Sequence, residues 1–346
     1  MSTDQIVEVA GRRLKLTNLE KVFYPSTGFT KGQVIDYYAR IAPVLVPHLA
    51  GKPLTLKRYP NGVDAQPFFE KNATKHRPDW VQTAPIWSEG NKRNVNYILA
   101  NDLATLVWVA NLAAIELHPS LSLAEDISCP RALVFDLDPG PPANIVQCCQ
   151  VAMWLRSIFE HFKLESFPKS SGSKGLQIYV PLNTETSYDE TKPFAHAVAR
   201  LLESEHRDLV VSDMKKTIRT NRVFVDWSQN DEHKTTVSVY SLRARERPTV
   251  STPVTWDEVE RTLKKKDASL LVIESDRALE RVEQLGDLFA PLLTLKQRLP
   301  KLPGLDEGEA GSLKQGLAVS SSSDRGRGKK PTVSKTPNPS ARARRK

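Results

Sequence analysis

Val134-Phe135-Asp136-Leu137-Asp138-Pro139-Gly140 decides the reading of this chain. Val134 and Phe135 favour a strand, and Pro139-Gly140 ends it. Side chains alternate faces along a strand, so Asp136 and Asp138 at i and i+2 point the same way. Two carboxylates on one face repel each other unless a cation neutralises them. Hard divalent ions such as Mg²⁺ or Mn²⁺ take oxygen ligands and usually keep substrate phosphates as partners. A second apolar run, Val223-Phe224-Val225-Asp226-Trp227, ends in a third aspartate that would complete a two-metal site. From spacing alone, the pair fits a strand end in an ordinary turn equally well.

The surroundings favour the metal reading. Lys169-Ser170-Ser171-Gly172-Ser173-Lys174-Gly175 leads straight into Leu176-Gln177-Ile178-Tyr179-Val180, which reads as another strand. Small residues let backbone N–H groups approach phosphate oxygens, Ser171 and Ser173 add hydroxyls, and Lys174 supplies charge. The G-x-x-x-x-G-K-[ST] spacing is absent, which disfavours a P-loop ATPase. Alone, such a segment is more often just a turn. Beside a two-strand aspartate cluster it reads as a triphosphate cradle.

At 346 residues the chain can bury a sizeable core. Its three cysteines, Cys129, Cys148 and Cys149, form no C-x-x-C pair, and no signal peptide is visible. Both observations suit a reducing cytosol better than a disulfide scaffold. No apolar stretch is long enough to span a bilayer. The net charge of +9 is uneven: from Ser320 onward, nine Lys and Arg face Asp324 alone, so the first 319 residues carry only about +1. Any DNA-binding face in the body must therefore be a local concentration of charge. From Ser320 onward the chain is Ser/Gly/Pro-rich and almost free of apolar residues, and a disordered basic tail is expected over 301–346 after a catalytic region over 1–300.

Residues 6–16 read as short strands. Helices are expected from Thr30, as N-cap, to Val46, and from Leu103 to Leu117, a buried run capped by Asn101-Asp102 and stopped by Pro119. Further helices are expected over Asn144–Phe162, Pro193–Glu205, Trp256–Lys264 and Ala278–Phe289. A short strand falls at Leu209–Ser212. Ile145, Cys148, Ala152, Leu155 and Phe159 form one apolar stripe. Strands and helices interleave without regular β-α-β spacing, which indicates an α+β architecture of mixed and antiparallel sheets flanked by helices.

The ordered set of motifs resembles the polymerase domain of bacterial ligase D, a branch of the archaeo-eukaryotic primase superfamily. The set begins with Leu16-Thr17-Asn18-Leu19-Glu20-Lys21-Val22-Phe23-Tyr24-Pro25, Lys57-Arg58-Tyr59-Pro60-Asn61-Gly62-Val63 and Phe68-Phe69-Glu70-Lys71. It continues through the Asp136/Asp138 strand, the Ser171–Gly175 loop and Phe224-Val225-Asp226-Trp227-Ser228-Gln229-Asn230. It closes with Lys234-Thr235-Thr236 and Tyr240-Ser241-Leu242-Arg243-Ala244-Arg245. The resemblance implies a primase-like catalytic fold in which Asp136, Asp138 and Asp226 bind two ions, Mn²⁺ or Mg²⁺. It places His118, Ser171, Ser173, Lys174, Gln177, Arg219, Gln229, Lys234 and Arg243 around the incoming nucleotide. Arginine suits that role because its forked N–H donors match phosphate oxygens. Asn18, Lys21 and Lys31, within the first 60 residues, match a pocket for a DNA 5′-phosphate. Lys57 and Arg58 match DNA backbone contacts, and Phe68 and Phe69 match stacking or wedge residues.

One position departs from the family pattern: Gln177 stands where the family has histidine. Glutamine can donate to a triphosphate but brings no charge, and neutral hydrogen bonds are roughly half as strong as charge-assisted ones. No Lys-x-Asp-Gly adenylation motif occurs. The expectation is thus a cytoplasmic, nucleoid-associated bacterial primase-polymerase. It would be a monomer that accepts NTPs and dNTPs at gapped or broken duplex DNA. A separate ligase and a Ku-type end-binding protein would be its partners, with no membrane involved. The alternative is a catalytically weak factor that binds DNA ends or gaps.

Overall fold

The computed structural model describes residues 4–300, so the basic tail expected over 301–346 lies outside the described residues. The architecture is α+β, with two five-stranded sheets among smaller hairpins. In the sheet that carries the aspartates, the strands run in the order Phe167–Ser170, Leu176–Pro181, Ala132–Pro139, Val223–Asp226, Val210–Val211. All neighbours are antiparallel except the last pair. Alternation sends Leu133, Phe135 and Leu137 to the face opposite Asp136. There the Phe135 ring meets Phe159 of the helix Ile145–His161 at 5.5 Å. The anticipated stripe of Ile145, Cys148, Ala152, Leu155 and Phe159 is buried throughout. Each large apolar side chain so covered contributes roughly 1.5–3 kcal/mol.

The second sheet is centred on Leu54–Arg58, which pairs with Phe68–Glu70 and with Ala114–Pro119 and touches the Thr83–Ser88/Arg93–Ile98 hairpin through Leu54 and Ile98. Here the structure corrects the sequence reading. The expected helix over Leu103–Leu117 stops at Asn111, and the rest of that run is a strand. An apolar run buried on all sides carries no periodicity that separates helix from strand. The deciding factor is tertiary: Ala113 turns at φ +65°, and Ala114–Pro119 completes the ladder beside Leu54–Arg58. As a result Glu116 and His118 share one face.

Other boundaries move less. Thr30 caps its helix as expected, its hydroxyl accepting from Gln33 N at 3.3 Å while Gln33 Oε1 accepts from Thr30 N at 2.8 Å. That helix, Lys31–Leu49, runs past Pro47. Tyr188–Glu205 begins five residues before Pro193, and the last expected helix lies at Ser275–Leu285, closed by Gly286 at φ +68°. No described helix is long and apolar enough to cross a membrane.

Tyrosines of the Lys31–Leu49 helix clamp the chain that leads to Arg243. Tyr37 Oη donates to Tyr240 O at 2.8 Å, and Leu242 N donates to Tyr38 Oη at 3.1 Å. Tyr24 Oη donates to Arg243 O at 3.0 Å.

Candidate active site

Asp136 sits directly opposite Asp226 on one neighbouring strand and opposite Gln177 on the other. Like charges facing each other across a ladder are destabilising. Burial first, and then the negative charges of Asp226 and Asp138, push the Asp136 carboxyl up to about 6 against the pull of Gln177 and Lys169. Asp138, two residues on, is exposed, with Oδ2 at 3.7 Å from Arg219 Nη1. Asp226 accepts from Ser228 N at 3.0 Å and Ser228 Oγ at 2.5 Å through Oδ1, and from Gln229 Nε2 at 2.8 Å through Oδ2. Lys234 in turn donates to the Ser228 hydroxyl.

The Ser171–Gly175 loop folds over the end of the aspartate strand. Ser171 Oγ accepts from Ser173 N at 3.2 Å and Gly175 N at 3.1 Å. Gly175 has no substitute, because a Cβ there would lie 2.0 Å from Leu137 O. Arg243 Nη1 donates to Ser171 O at 2.6 Å, and Arg245 bonds the Ser173 hydroxyl.

The Asp136/Asp138 strand, the Ser171–Gly175 loop and Arg243 and Arg245 border an open cavity of about 320 Å³. It is lined by His118, Asp136, Asp138, Ser171, Ser173, Lys174, Gln177, Gln229 and Arg243 from the sequence reading, and by Gly175, Thr235, Thr236, Val237 and Arg245 besides. Asp226, Arg219 and Lys234 stand outside the lining, Asp226 lying across the ladder from Asp136. Arg219 is stacked on Phe224 at 3.7 Å beside Asp138, and Lys234 is held behind Asp226. Gln177 donates to Thr236 Oγ1 at 3.3 Å, while its buried Oε1 has no protein partner.

The DNA-binding candidates lie on the other sheet and before it. Asn18 turns the chain at φ +54°. Lys21 Nζ donates to Pro60 O at 2.6 Å and Asn61 Oδ1 at 3.1 Å. Lys31 is buried, its Nζ donating to Thr17 O at 2.7 Å, and burial followed by the charges of Lys21 and Arg58 lowers it to about 8. Arg58 is held by Glu70 at 2.9 Å and by Leu112 O at 2.7 Å. Lys57 lies 5.5 Å from the Phe69 ring centroid. Phe68 and Phe69 are 45% and 60% exposed, Phe68 lying under Arg58 and Phe69 edge-on to His118, so two adjacent rings still present apolar surface to solvent.

The family model described as the LigD primase-polymerase domain matches residues 30–289. The chain belongs to the LigD primase-polymerase domain family. It is 42% identical over 282 residues to the multifunctional non-homologous end joining protein LigD of Mycolicibacterium smegmatis, covering 81% of this chain and 36% of that protein. It is 31% identical over 278 residues to the bifunctional LigD protein of Bacillus subtilis, covering 80% and 44%. The chain thus spans less than half the length of these relatives. The polymerase domain from Mycobacterium tuberculosis ligase D, solved in complex with DNA, superposes with a TM-score of 0.76 at 38% identity, covering 82% of this chain and 99% of that one.

Among the described residues, no three His, Cys, Asp or Glu side chains already converge into a metal-holding cluster. The donor set nevertheless suits a hard divalent ion. All three carboxylates are oxygen donors on facing strand ends, and the raised Asp136 carboxyl marks a place short of positive charge.

Sequence reading passed over Arg245, Lys169 and Glu116. Arg243 and Arg245 sit at i and i+2 within Tyr240–Arg245, so alternation could have paired them. Lys169 is fully buried opposite Gln177, its Nζ donating to Ser251 Oγ at 2.6 Å. Glu116 was hidden by the mistaken helix.

Proposed function

We propose that the chain is a template-directed primase-polymerase that fills short gaps or extends ends in DNA repair. The observation that carries this reading is a single cavity in which Asp136 and Asp138 face the Ser171–Gly175 loop, Arg243 and Arg245. Negative groups gathered on one side and phosphate donors on the other suit a metal-bound nucleoside triphosphate. A nuclease would have little use for the donor side.

Asp136, Asp138 and Asp226 would hold two divalent ions, Mn²⁺ or Mg²⁺, which when bound lower the pKa of a primer 3′-hydroxyl and neutralise the leaving pyrophosphate. Ser228 and Gln229 orient the Asp226 carboxylate for that task. Ser171, Ser173, Lys174, Arg243 and Arg245 grip the triphosphate, with Gln177 as a neutral donor beside Asp136. The chain's Asn18, Lys21 and Lys31 would read the 5′-phosphate across a gap, and Lys57, Phe68 and Phe69 would meet the DNA strand and its bases. Both NTPs and dNTPs are substrates in this reading. A ligase seals the product, a Ku-type protein presents the ends, and the enzyme acts as a monomer at the nucleoid in the cytoplasm.

The deciding experiment is extension on a one-nucleotide gap with and without a 5′-phosphate, comparing NTP with dNTP in Mg²⁺ and in Mn²⁺. Nucleotide addition stimulated by the 5′-phosphate is expected. Tight gap binding without any addition would leave the end-binding alternative standing instead.

A further inference from the structure

The strand Ala114–Pro119 brings an acid to the site that the catalytic reading leaves without a task. Glu116 is 3% exposed and does not line the cavity. Its Oε2 accepts from His118 Nε2 at 3.0 Å and lies 3.6 Å from Lys57 Nζ. Its Oε1 lies 3.3 Å from Arg243 Nε and accepts from Ala244 N at 3.1 Å. Both oxygens are committed to donors, so Glu116 is not a fourth carboxylate for a metal ion.

Each partner belongs to a different part of the machinery. Arg243 hydrogen-bonds the loop through Nη1, while its Nε, which makes no hydrogen bond within the protein, is held beside Glu116 by charge at 3.3 Å, so its Nη2 donors remain for a ligand in the cavity it lines. His118 gives Nε2–H to Glu116, which fixes its tautomer and leaves Nδ1 as an acceptor. Lys57 pairs across the ladder with Glu116, on the strand that carries the DNA contacts. A flexible guanidinium held on two edges loses less freedom on binding phosphate than one held on a single edge.

We propose that Glu116 is the positioning residue of this site, one buried carboxylate that aims Arg243 at the triphosphate and sets His118 beside it while anchoring Lys57 in the DNA track. The proposal deepens the polymerase reading and rests on it only for the identity of the triphosphate.

The test compares wild type with Glu116→Gln, an isostere without charge, and Glu116→Asp, a charge with shorter reach. Inorganic tripolyphosphate binding is measured by calorimetry at fixed free Mn²⁺, alongside gap binding and steady-state gap filling. For Glu116→Gln, tripolyphosphate affinity is expected to fall about tenfold, because the guanidinium loses the buried charge that orients it. The nucleotide KM should rise by the same factor, with kcat changing far less and gap affinity moving within about threefold, since Lys57 is freed rather than removed. Glu116→Asp should fall between the two. It carries the comparison if the glutamine variant does not fold.

A folded variant that binds tripolyphosphate as wild type does would overturn the proposal, as would a kcat loss at constant KM. So would a wild type that does not bind tripolyphosphate at all. If tripolyphosphate binding weakens as expected but no protein extends a gap, the positioning role stands and the polymerase reading fails. If gap filling proceeds with the same KM in every variant, the polymerase reading stands and the positioning role fails.

Discussion

Asp136 and Glu116 are carboxylates of the same type of setting with opposite fates. Glu116 is buried and Asp136 half-buried on strands bordering one cavity, and loss of water disfavours the charge on each. Around Asp136 the neighbours are Asp226 and Asp138, so its carboxyl stays raised. Around Glu116 burial is outweighed by the His118 hydrogen bond and the charges of Arg243, His118 and Lys57, which hold its carboxyl well below the usual range. Glu116 has its full complement of protein partners, whereas Asp136 has been left short of positive charge. A buried acid already satisfied by bases serves to place them. A half-buried acid surrounded by acids calls for a cation that the protein does not itself provide.

The comparison breaks most visibly at the aspartates. Asp136→Ala or Asp138→Ala is expected to lower gap extension by about a thousandfold or more, while affinity for gapped DNA stays nearly intact, because in the proposed reading these carboxylates serve metals rather than phosphates. Primer-extension rates and fluorescence anisotropy on one gapped substrate report the two quantities together. Substantial residual extension would remove the two-metal assignment.

Stability without divalent ions offers a sharper contrast, since the two acids have opposite pH signatures. A folded-state pKa raised from 3.8 to about 6 means that Asp136 is most favourable when protonated. That contribution is full below pH 4 and lost as pH rises through about 6. Glu116 is lowered, so its contribution is present above pH 4.5 and lost as the solution is acidified below that. Asp136→Asn should therefore melt above wild type by about 2–4 °C at pH 7 in EDTA, with little difference at pH 4. Glu116→Gln should melt below wild type at pH 7, and the gap should narrow on acidification. Parallel melting curves for the two variants across this range would contradict the contrast.

The two regions also differ in how visible they were. The aspartate strand, its loop and the third aspartate were readable because alternation and turn chemistry are local, and each lies within a few residues of its own signal. The Ile145–His161 helix and the Thr30 cap were readable for the same reason. Glu116 was not, because its role depends on a strand whose existence is decided by a ladder with Leu54–Arg58, some 60 residues away. Likewise the resemblance offers Lys31 to a DNA 5′-phosphate, but no local signal shows that the fold buries it against Thr17.

That burial shapes the next prediction. Lys21→Ala combined with Lys31→Ala should erase any preference for a 5′-phosphorylated gap, each charge-assisted hydrogen bond to the phosphate being worth about 1.5–3 kcal/mol. Binding to the unphosphorylated gap should change little. Since Lys31 also satisfies Thr17 O, the single change at Lys31 should lower the melting temperature, whereas the exposed Lys21 should not. Gap preference that survives the double change would move the pocket elsewhere.

The smallest effect is expected at Gln177, the position beside Asp136 where the family resemblance implies a histidine. Gln177 lies in register with both Asp136 and Lys169, and it already donates to Thr236. Its partnerless Oε1 gains nothing from a triphosphate, which offers only acceptors. Histidine would instead offer a ring N–H that can become cationic, adding attraction for phosphate. It would also place charge near Lys169, a lysine that burial already drives towards its neutral form. These influences oppose each other, so Gln177→His should lower the nucleotide KM only about two- to fivefold, less than a full charge-assisted bond would give. The gain should shrink as pH rises above the ordinary histidine range, because only the imidazolium supplies it. Steady-state KM at pH 6 and pH 8 tests both points. A KM that does not move at either pH would mean that Lys174, Arg243 and Arg245 already saturate the phosphates. The acceptor left idle on Gln177 would then be a purely structural loss.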